Sequence, residues 1–180
     1  MFIVFEGIDG SGKTTISKML ANHLGYFWTA EPTDGEIGKF IREILTKNKN
    51  IDSKAITLLF TADRYEHQKI IKENIKKGVI CDRYFFSTLA YQSVLGVEDE
   101  FIKYINKDII MPDVVFLLVV DVDEAIKRLK TSDLFEKKSF LEKVQKKYLE
   151  LAKEYNFIVI DTSNKSIDNV FNEILKRLEL

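Results

Sequence analysis

Gly7-Ile8-Asp9-Gly10-Ser11-Gly12-Lys13-Thr14 carries the spacing G-x-x-x-x-G-K-T, the pattern of a phosphate-cradling loop. Glycines at these places let the backbone curl so that successive N–H groups point at phosphate oxygens. The segment before the loop, Phe2-Ile3-Val4-Phe5, is apolar and β-favouring, and after it Ile16, Met19, Leu20 and Leu24 recur at helical spacing. Strand, loop and helix in that order put the positive N-terminal end of a helix behind the same anion. In such a loop Lys13 sets an ammonium on the outer phosphates, and the Thr14 hydroxyl helps hold a magnesium ion. The stretch therefore predicts a bound nucleoside triphosphate.

The rest of the chain has to be a fold that can present this loop. At 180 residues it fits one domain, 1–180, and is too short for two ordinary ones. Hydrophobic residues make up 46% and charged residues 31%, a globular profile slightly enriched in charge. The formal net charge of −1 gives no basic excess, so no nucleic-acid backbone is expected as a partner. The single cysteine, Cys81, cannot close an internal disulfide, which suits a reducing compartment. Its setting, Gly78-Val79-Ile80-Cys81-Asp82, reads as strand packing rather than a nucleophile. The N-terminus runs straight into the first strand, leaving no room for a signal peptide, and the longest apolar run, Val114 to Val120, is too short to span a bilayer. The expectation is a soluble cytoplasmic protein.

Along the chain, strands alternate with helices. Gly25 is a helix stop, Tyr26 to Ala30 a second strand, and Glu31-Pro32-Thr33-Asp34-Gly35 a turn at its carboxyl end, where open α/β sheets place ligands. Ile37, Ile41, Ile44 and Leu45 mark an amphipathic helix. Asp52 to Lys77 stays helical, with His67 one turn after Asp63 and read as a surface or partly packed residue rather than a catalytic one. Val79-Ile80-Cys81 forms the third strand, ending in Asp82-Arg83-Tyr84. An acidic residue there is placed for a magnesium-bound water, with Arg83 free to meet an anion. Ser87, Thr88, Tyr91 and Gln92 share one helical face. The run Val114 to Asp121 reads as a central parallel strand, and Asp121 competes with Asp82 for the metal role; Asp82 is preferred because an arginine stands beside it. Lys130 to Lys138 is a charged connection, read either as a lid closing on the nucleotide or as a solvated loop. Phe157 to Ile160 is the last strand and Ile167 to Leu178 a closing helix. Five strands with long crossovers imply an α/β fold of the phosphate-loop NTPase kind: a five-stranded parallel sheet with helices on both faces.

Taken together, Phe5-Glu6-Gly7-x-Asp9-Gly10, Glu31-Pro32-Thr33-Asp34-Gly35, Phe60-x-Ala62-Asp63-Arg64 and Asp82-Arg83-Tyr84-x-x-Ser87-Thr88-x-Ala90-Tyr91-Gln92 resemble the thymidylate kinases, in that family's order and over nearly the whole chain. The resemblance implies transfer of the terminal phosphoryl group of ATP to dTMP, with magnesium. ATP would then lie on Gly7, Ile8, Asp9, Gly10, Ser11, Gly12, Lys13, Thr14 and Thr15, with Thr14 and Asp82 at the metal. It further implies Asp9 beside the acceptor sugar, Arg83 on the acceptor phosphate, Phe60 stacked on thymine and Arg64 on its carbonyl. Thr88 and Gln92 would face the base edge, Tyr91 would crowd the 2′ position, and the Glu31–Pro32 bond would be cis. A homodimer is usual in the family.

One departure bears on catalysis. Members of the family carry an arginine inside the phosphate loop or supply one from the lid, yet positions 8 to 11 here are Ile-Asp-Gly-Ser and the lid holds only Lys130, Lys137 and Lys138. Arg128, on the helix just before, or Lys137 is expected to stand in, with modest turnover because a lysine lacks the planar fork. Three alternatives remain at this point: a kinase for another nucleoside monophosphate, a nucleotide-dependent switch, and a catalytically silent homologue. The switch reading would need an aspartate at 167 in the Asn164-Lys165 segment, where this chain has Ile.

Overall fold

The computed structural model describes residues 1–47, 51–129 and 134–179. In chain order its elements are β1 (Phe2–Glu6), α1 (Lys13–Leu24), β2 (Phe27–Ala30), α2 (Glu36–Thr46), α3 (Ser53–Asn74) and β3 (Val79–Asp82). They continue with α4 (Phe85–Val94), α5 (Asp99–Ile105), β4 (Val114–Val119), α6 (Val122–Leu129), α7 (Leu134–Glu154), β5 (Ile158–Asp161) and α8 (Ile167–Arg177). The five strands form one sheet in the order β2-β3-β1-β4-β5, and all neighbours run parallel.

The sheet is covered on both faces, and the strand sequences show why. Side chains alternate across a strand. Phe2 and Val4 of β1 therefore enter the core beneath α3, α4, α6 and α7, while Ile3 and Phe5 enter the core beneath α1 and α8. A strand buried on both sides has no room for a polar alternation, so β1 is buried throughout. A third, smaller apolar cluster, Ile41, Ile44 and Ile56, joins α2 to α3.

Three features differ from the sequence reading. Residues 130–133 of the expected lid, Lys130 among them, lie outside the described residues; α7 begins at Leu134, so Lys137 and Lys138 belong to a helix and not to a loop. Helix α5, unforeseen, fills the gap before β4 on the strength of one fully buried residue, Ile102. His67 is 1% exposed, neither surface nor partly packed. Among the described residues no helix is long and apolar enough to cross a membrane.

The topology places the site. From β1 the chain moves to one side of the sheet for β2 and β3 and then to the other for β4 and β5, so β1 lies at the point where the order reverses. Ligands of open α/β sheets bind outside the carboxyl ends of the strands at such a point. The loop Gly7–Gly12 leaves β1 there.

Candidate active site

The loop is shaped by contacts that exclude side chains. Gly7 sits at φ 142°, and a Cβ on it would meet the Leu118 carbonyl oxygen at 2.4 Å; Gly10 sits at φ 84°, with the Ala125 carbonyl 2.6 Å from the same imaginary atom. Only glycine adopts these angles without strain while lying this close to neighbouring backbone. Helix α1 starts immediately after Gly12, so its first N–H groups open on the loop. The result is a cleft of about 530 Å3 lined by the loop, Thr14, Thr15, Asp82 and Arg128 among others.

Lys13 lies folded into this loop. Its ammonium donates to the Ile8 carbonyl at 2.7 Å and to Ser11 Oγ at 3.4 Å, and the residue is 5% exposed. Burial, reinforced by the nearby Arg83 charge, pulls its pKa down to about 7. Beside it the Thr14 hydroxyl donates to Asp82 Oδ2, while Asp82 Oδ1 is buried with no partner among the described residues. An unpartnered carboxylate oxygen next to a hydroxyl at a phosphate loop is the donor chemistry of a hard divalent cation, which keeps most of its shell as water and phosphate oxygen. The pair therefore fits magnesium. Asp121 does not join it: exposed, it accepts from the Glu124 N–H at 3.0 Å and caps α6.

Arg83 lies at the crossing of the motifs. Residue 83 takes φ 67°, unusual for a side-chain-bearing residue, and its backbone N–H donates to Phe5 O at 2.9 Å. The guanidinium pairs with Asp9 Oδ1, donates to Gly7 O at 3.2 Å and Ser87 Oγ at 3.0 Å, and lies over the Tyr91 ring. Burial alone would raise the Asp9 carboxyl, but Arg83, then Lys13 and Lys137, outweigh it and hold the carboxyl below its usual range. Tyr91 accepts the Asp9 N–H on its hydroxyl at 3.2 Å, which fixes the ring beside the pair.

Beneath this pair is a support absent from the sequence reading. Glu6, fully buried, accepts the N–H groups of Tyr84 at 3.0 Å and Ser87 at 3.1 Å, and so caps the N-terminus of α4. Its other oxygen takes the hydroxyls of Ser87 and Tyr148, the latter at 2.9 Å. Burial raises the Glu6 carboxyl against these donors.

Arg64 and Thr88 meet, Gln92 follows Thr88 by one turn on α4, and all three are nearly buried, with Phe60 half-buried against the α2–α3 cluster. Arg64 donates from Nε and Nη2 to Glu31 Oε2 at 3.0 and 2.7 Å, from Nη2 to Thr88 Oγ1 at 2.9 Å and from Nη1 to Asn106 Oδ1 at 2.9 Å. Of the five N–H groups of a guanidinium, one on Nη1 is left over. Gln92 Oε1 is buried without a partner among the described residues. The Glu31–Pro32 peptide bond is cis. Glu31, His67, Asn106, Glu6 and Tyr148 all escaped the sequence reading as members of the site.

The two expected substitutes for the missing arginine are in reach of the cleft. Arg128 donates to Gly10 O at 2.9 Å and pairs with Glu124 on its own helix. Lys137 is close enough to act on the Asp9 carboxyl, whereas Lys138 is held by Asp123 at 2.6 and 2.7 Å.

A five-stranded parallel sheet with a phosphate loop at its switch point and helices on both faces is the phosphate-loop NTPase fold. The family model described as thymidylate kinase matches residues 5–174. The chain is 61% identical to a "probable thymidylate kinase" of Methanocaldococcus jannaschii, covering 99% of this chain and 96% of that one. It is 49% identical to another of Sulfurisphaera tokodaii, covering 91% and 88%. Among solved structures it is similar to thymidylate kinase from Candida albicans, with a TM-score of 0.85 and 28% identity over 99% of this chain and 90% of that one. The enzyme from Ehrlichia chaffeensis gives a TM-score of 0.81 and 33% identity, over 99% and 98%. The chain belongs to the thymidylate kinase family, and it is a nucleoside monophosphate kinase.

Proposed function

We propose that this chain moves the terminal phosphoryl group of ATP onto dTMP, giving dTDP and ADP. The observation that supports this reading is a spare N–H on Arg64 and a carbonyl oxygen on Gln92, each without a partner among the described residues; the two side chains are linked through Thr88, which Arg64 bonds and which stands one helical turn before Gln92. Thymine presents a carbonyl beside an N–H, an acceptor for the first and a donor for the second; cytosine carries the same two roles exchanged, so in the same pose its amino group meets the Arg64 N–H and its bare nitrogen meets the Gln92 oxygen, donor on donor and acceptor on acceptor. A buried acceptor left unpaired costs about 1–3 kcal/mol, recovered when the ligand supplies the donor.

Phosphoryl transfer needs positioning and charge neutralisation more than covalent help. The loop N–H groups of Gly7 to Thr15 and the Lys13 ammonium hold the donor phosphates. Asp9 orients the acceptor at its sugar, Arg83 binds the acceptor phosphate, Phe60 stacks on the base, Thr88 lies at its edge, and Tyr91 fills the space a 2′-hydroxyl would need. Thr14 and Asp82 would hold magnesium, which neutralises charge on the bridging phosphate oxygens when bound. The test is a coupled assay with ATP, magnesium and a panel of dTMP, dUMP, dCMP and UMP. The expected order places dTMP first; a preference for a cytidine nucleotide sinks the thymine assignment, and binding without product leaves a silent homologue.

Three expectations follow from the same geometry. Arg128→Ala and Lys137→Ala should each lower turnover about tenfold, a partial loss because the two share the work of the absent arginine. If both leave turnover unchanged, neither stands in. ATP binding should take up protons near neutral pH, because phosphate restores the charge of a lysine whose pKa burial has pulled to about 7. Affinity for ATP then weakens as pH rises above 7; calorimetry in buffers of different ionisation enthalpy reads the uptake directly. The chain is also proposed to form a cytoplasmic homodimer through α2 and α3, which expose Phe40, Leu45 and Leu58. Light scattering that returns a monomer mass at working concentration refutes the dimer.

A further inference from the structure

The turn after β2 and the middle of α3 were separate motifs in the sequence; in the fold they are bolted to one another. Asp63 takes the Thr33 N–H at 2.7 Å and its hydroxyl at 2.6 Å. Next to Asp63 on α3, Arg64 gives two N–H groups to Glu31 Oε2, and one turn on His67 Nδ1 lies 3.0 Å from the other oxygen, Oε1. The opposite ring nitrogen, Nε2, is 2.7 Å from Thr29 Oγ1. A carboxylate only accepts, so the ring proton is on Nδ1, and Nε2 then takes the Thr29 hydroxyl proton. The side-chain nitrogens and oxygens of Thr29, His67, Glu31 and Arg64 thereby all have partners, and one N–H on Arg64 Nη1 is left over.

The arrangement has a geometric consequence. A carboxylate holding a guanidinium through one oxygen is free to turn about its terminal bond, and the guanidinium turns with it. A donor on the second oxygen fixes the carboxylate plane. His67 is that donor, and it is itself set by Thr29 on the neighbouring strand. Arg64, a long side chain with much rotamer freedom, is thus held from behind, with Asn106 and Thr88 on its remaining sides.

We propose that Glu31, His67 and Thr29 are positioning residues that aim the free Arg64 N–H at the acceptor base, and so set base selectivity rather than the rate of phosphoryl transfer. This rests on the reading of Arg64 given under the proposed function.

Asparagine keeps a side-chain N–H where Nδ1 stands, whereas glutamine moves its amide to the place of Nε2. His67→Gln should therefore raise the KM for dTMP about tenfold and erode the preference for dTMP over dCMP by a similar factor, with kcat and the KM for ATP within about twofold. His67→Asn should keep both acceptor quantities within about threefold. Equal losses of melting temperature in the two variants with the base preference intact would show a structural role only and overturn the proposal. Thr29→Val, which keeps the shape and removes the hydroxyl, carries the test should the His67 variants not fold, with an expected threefold or so rise in the same KM. Arg64→Lys is measured beside them. Selectivity lost in Arg64→Lys but kept in His67→Gln and Thr29→Val overturns this inference alone. Selectivity kept in Arg64→Lys removes the reading of Arg64, and the inference with it.

Discussion

Lys13→Ala should lower kcat/KM for ATP about 10^3-fold, the loss expected when a preorganised cation facing developing phosphate charge is removed from a water-poor site. Steady-state kinetics with ATP varied at saturating dTMP checks it; a loss below about tenfold would remove Lys13 from the transition state. The ammonium is lodged on Ile8 O and Ser11 Oγ, inside the loop. Arginine is not expected to rescue, because its planar fork is broader than the point charge this loop encloses.

The same variant should unfold at no lower a temperature than the parent. Lys13 has its pKa depressed from 10.5 to about 7 by burial. A lysine whose folded pKa lies below its unfolded value binds its proton less readily when folded, so its charge opposes folding at all pH values below the unfolded pKa, and most fully below 7. Removing it relieves that opposition. Calorimetric melting of Lys13→Ala above or level with the parent is the expected result, and a clear fall would mean that its bonds to the loop outweigh its burial.

How much of this was readable in the chain follows from the range of the interactions. The loop was legible because its demands are local: glycines where backbone crosses backbone, a lysine at the first position of the helix, a β-favouring run before and a helical stripe after. The five strands were legible to within two residues; β1, β3 and β4 because strands buried on both faces become unbroken apolar runs, and the half-buried β2 and β5 because short β-favouring runs follow a helix. Helix α5 was not, because one buried residue, Ile102, makes no stripe. His67 was misread for another reason. A histidine on a lysine-rich helix reads as surface, and what buries it is Glu31 and Thr29, brought from β2 and its turn by the sheet. Glu6 is the extreme case, a carboxylate inside an apolar strand whose hydroxyl donor, Tyr148, lies 142 residues away. Motif spacing finds groups that meet a ligand; it is silent on polar groups whose partners are one another.

Arg83→Ala and Arg83→Gly should both lower kcat/KM for dTMP about 10^3-fold, yet differ in stability by about 1 kcal/mol in favour of glycine. Both remove the guanidinium that pairs with Asp9 and reaches Gly7 O and Ser87, and with it the cation proposed to hold the acceptor phosphate. Only the backbone separates them. Residue 83 is held at φ 67° by its N–H on Phe5 O and its carbonyl on the Cys81 thiol. A Cβ there costs about 1–2 kcal/mol of steric strain that glycine does not incur, offset in part by the greater freedom of glycine in the unfolded chain. The parent tolerates this conformation because it turns the side chain from the end of β3 back across the loop leaving β1, where β3 and β1 are neighbours in the sheet. Denaturant unfolding of the two variants measures the strain without interference from the lost charge, and equal midpoints would place the φ outside the energetics of the site. Kinetics separates the second half of the claim: an alanine variant that kept its KM for dTMP while losing only turnover would move Arg83 from holding the acceptor phosphate to stabilising its transfer.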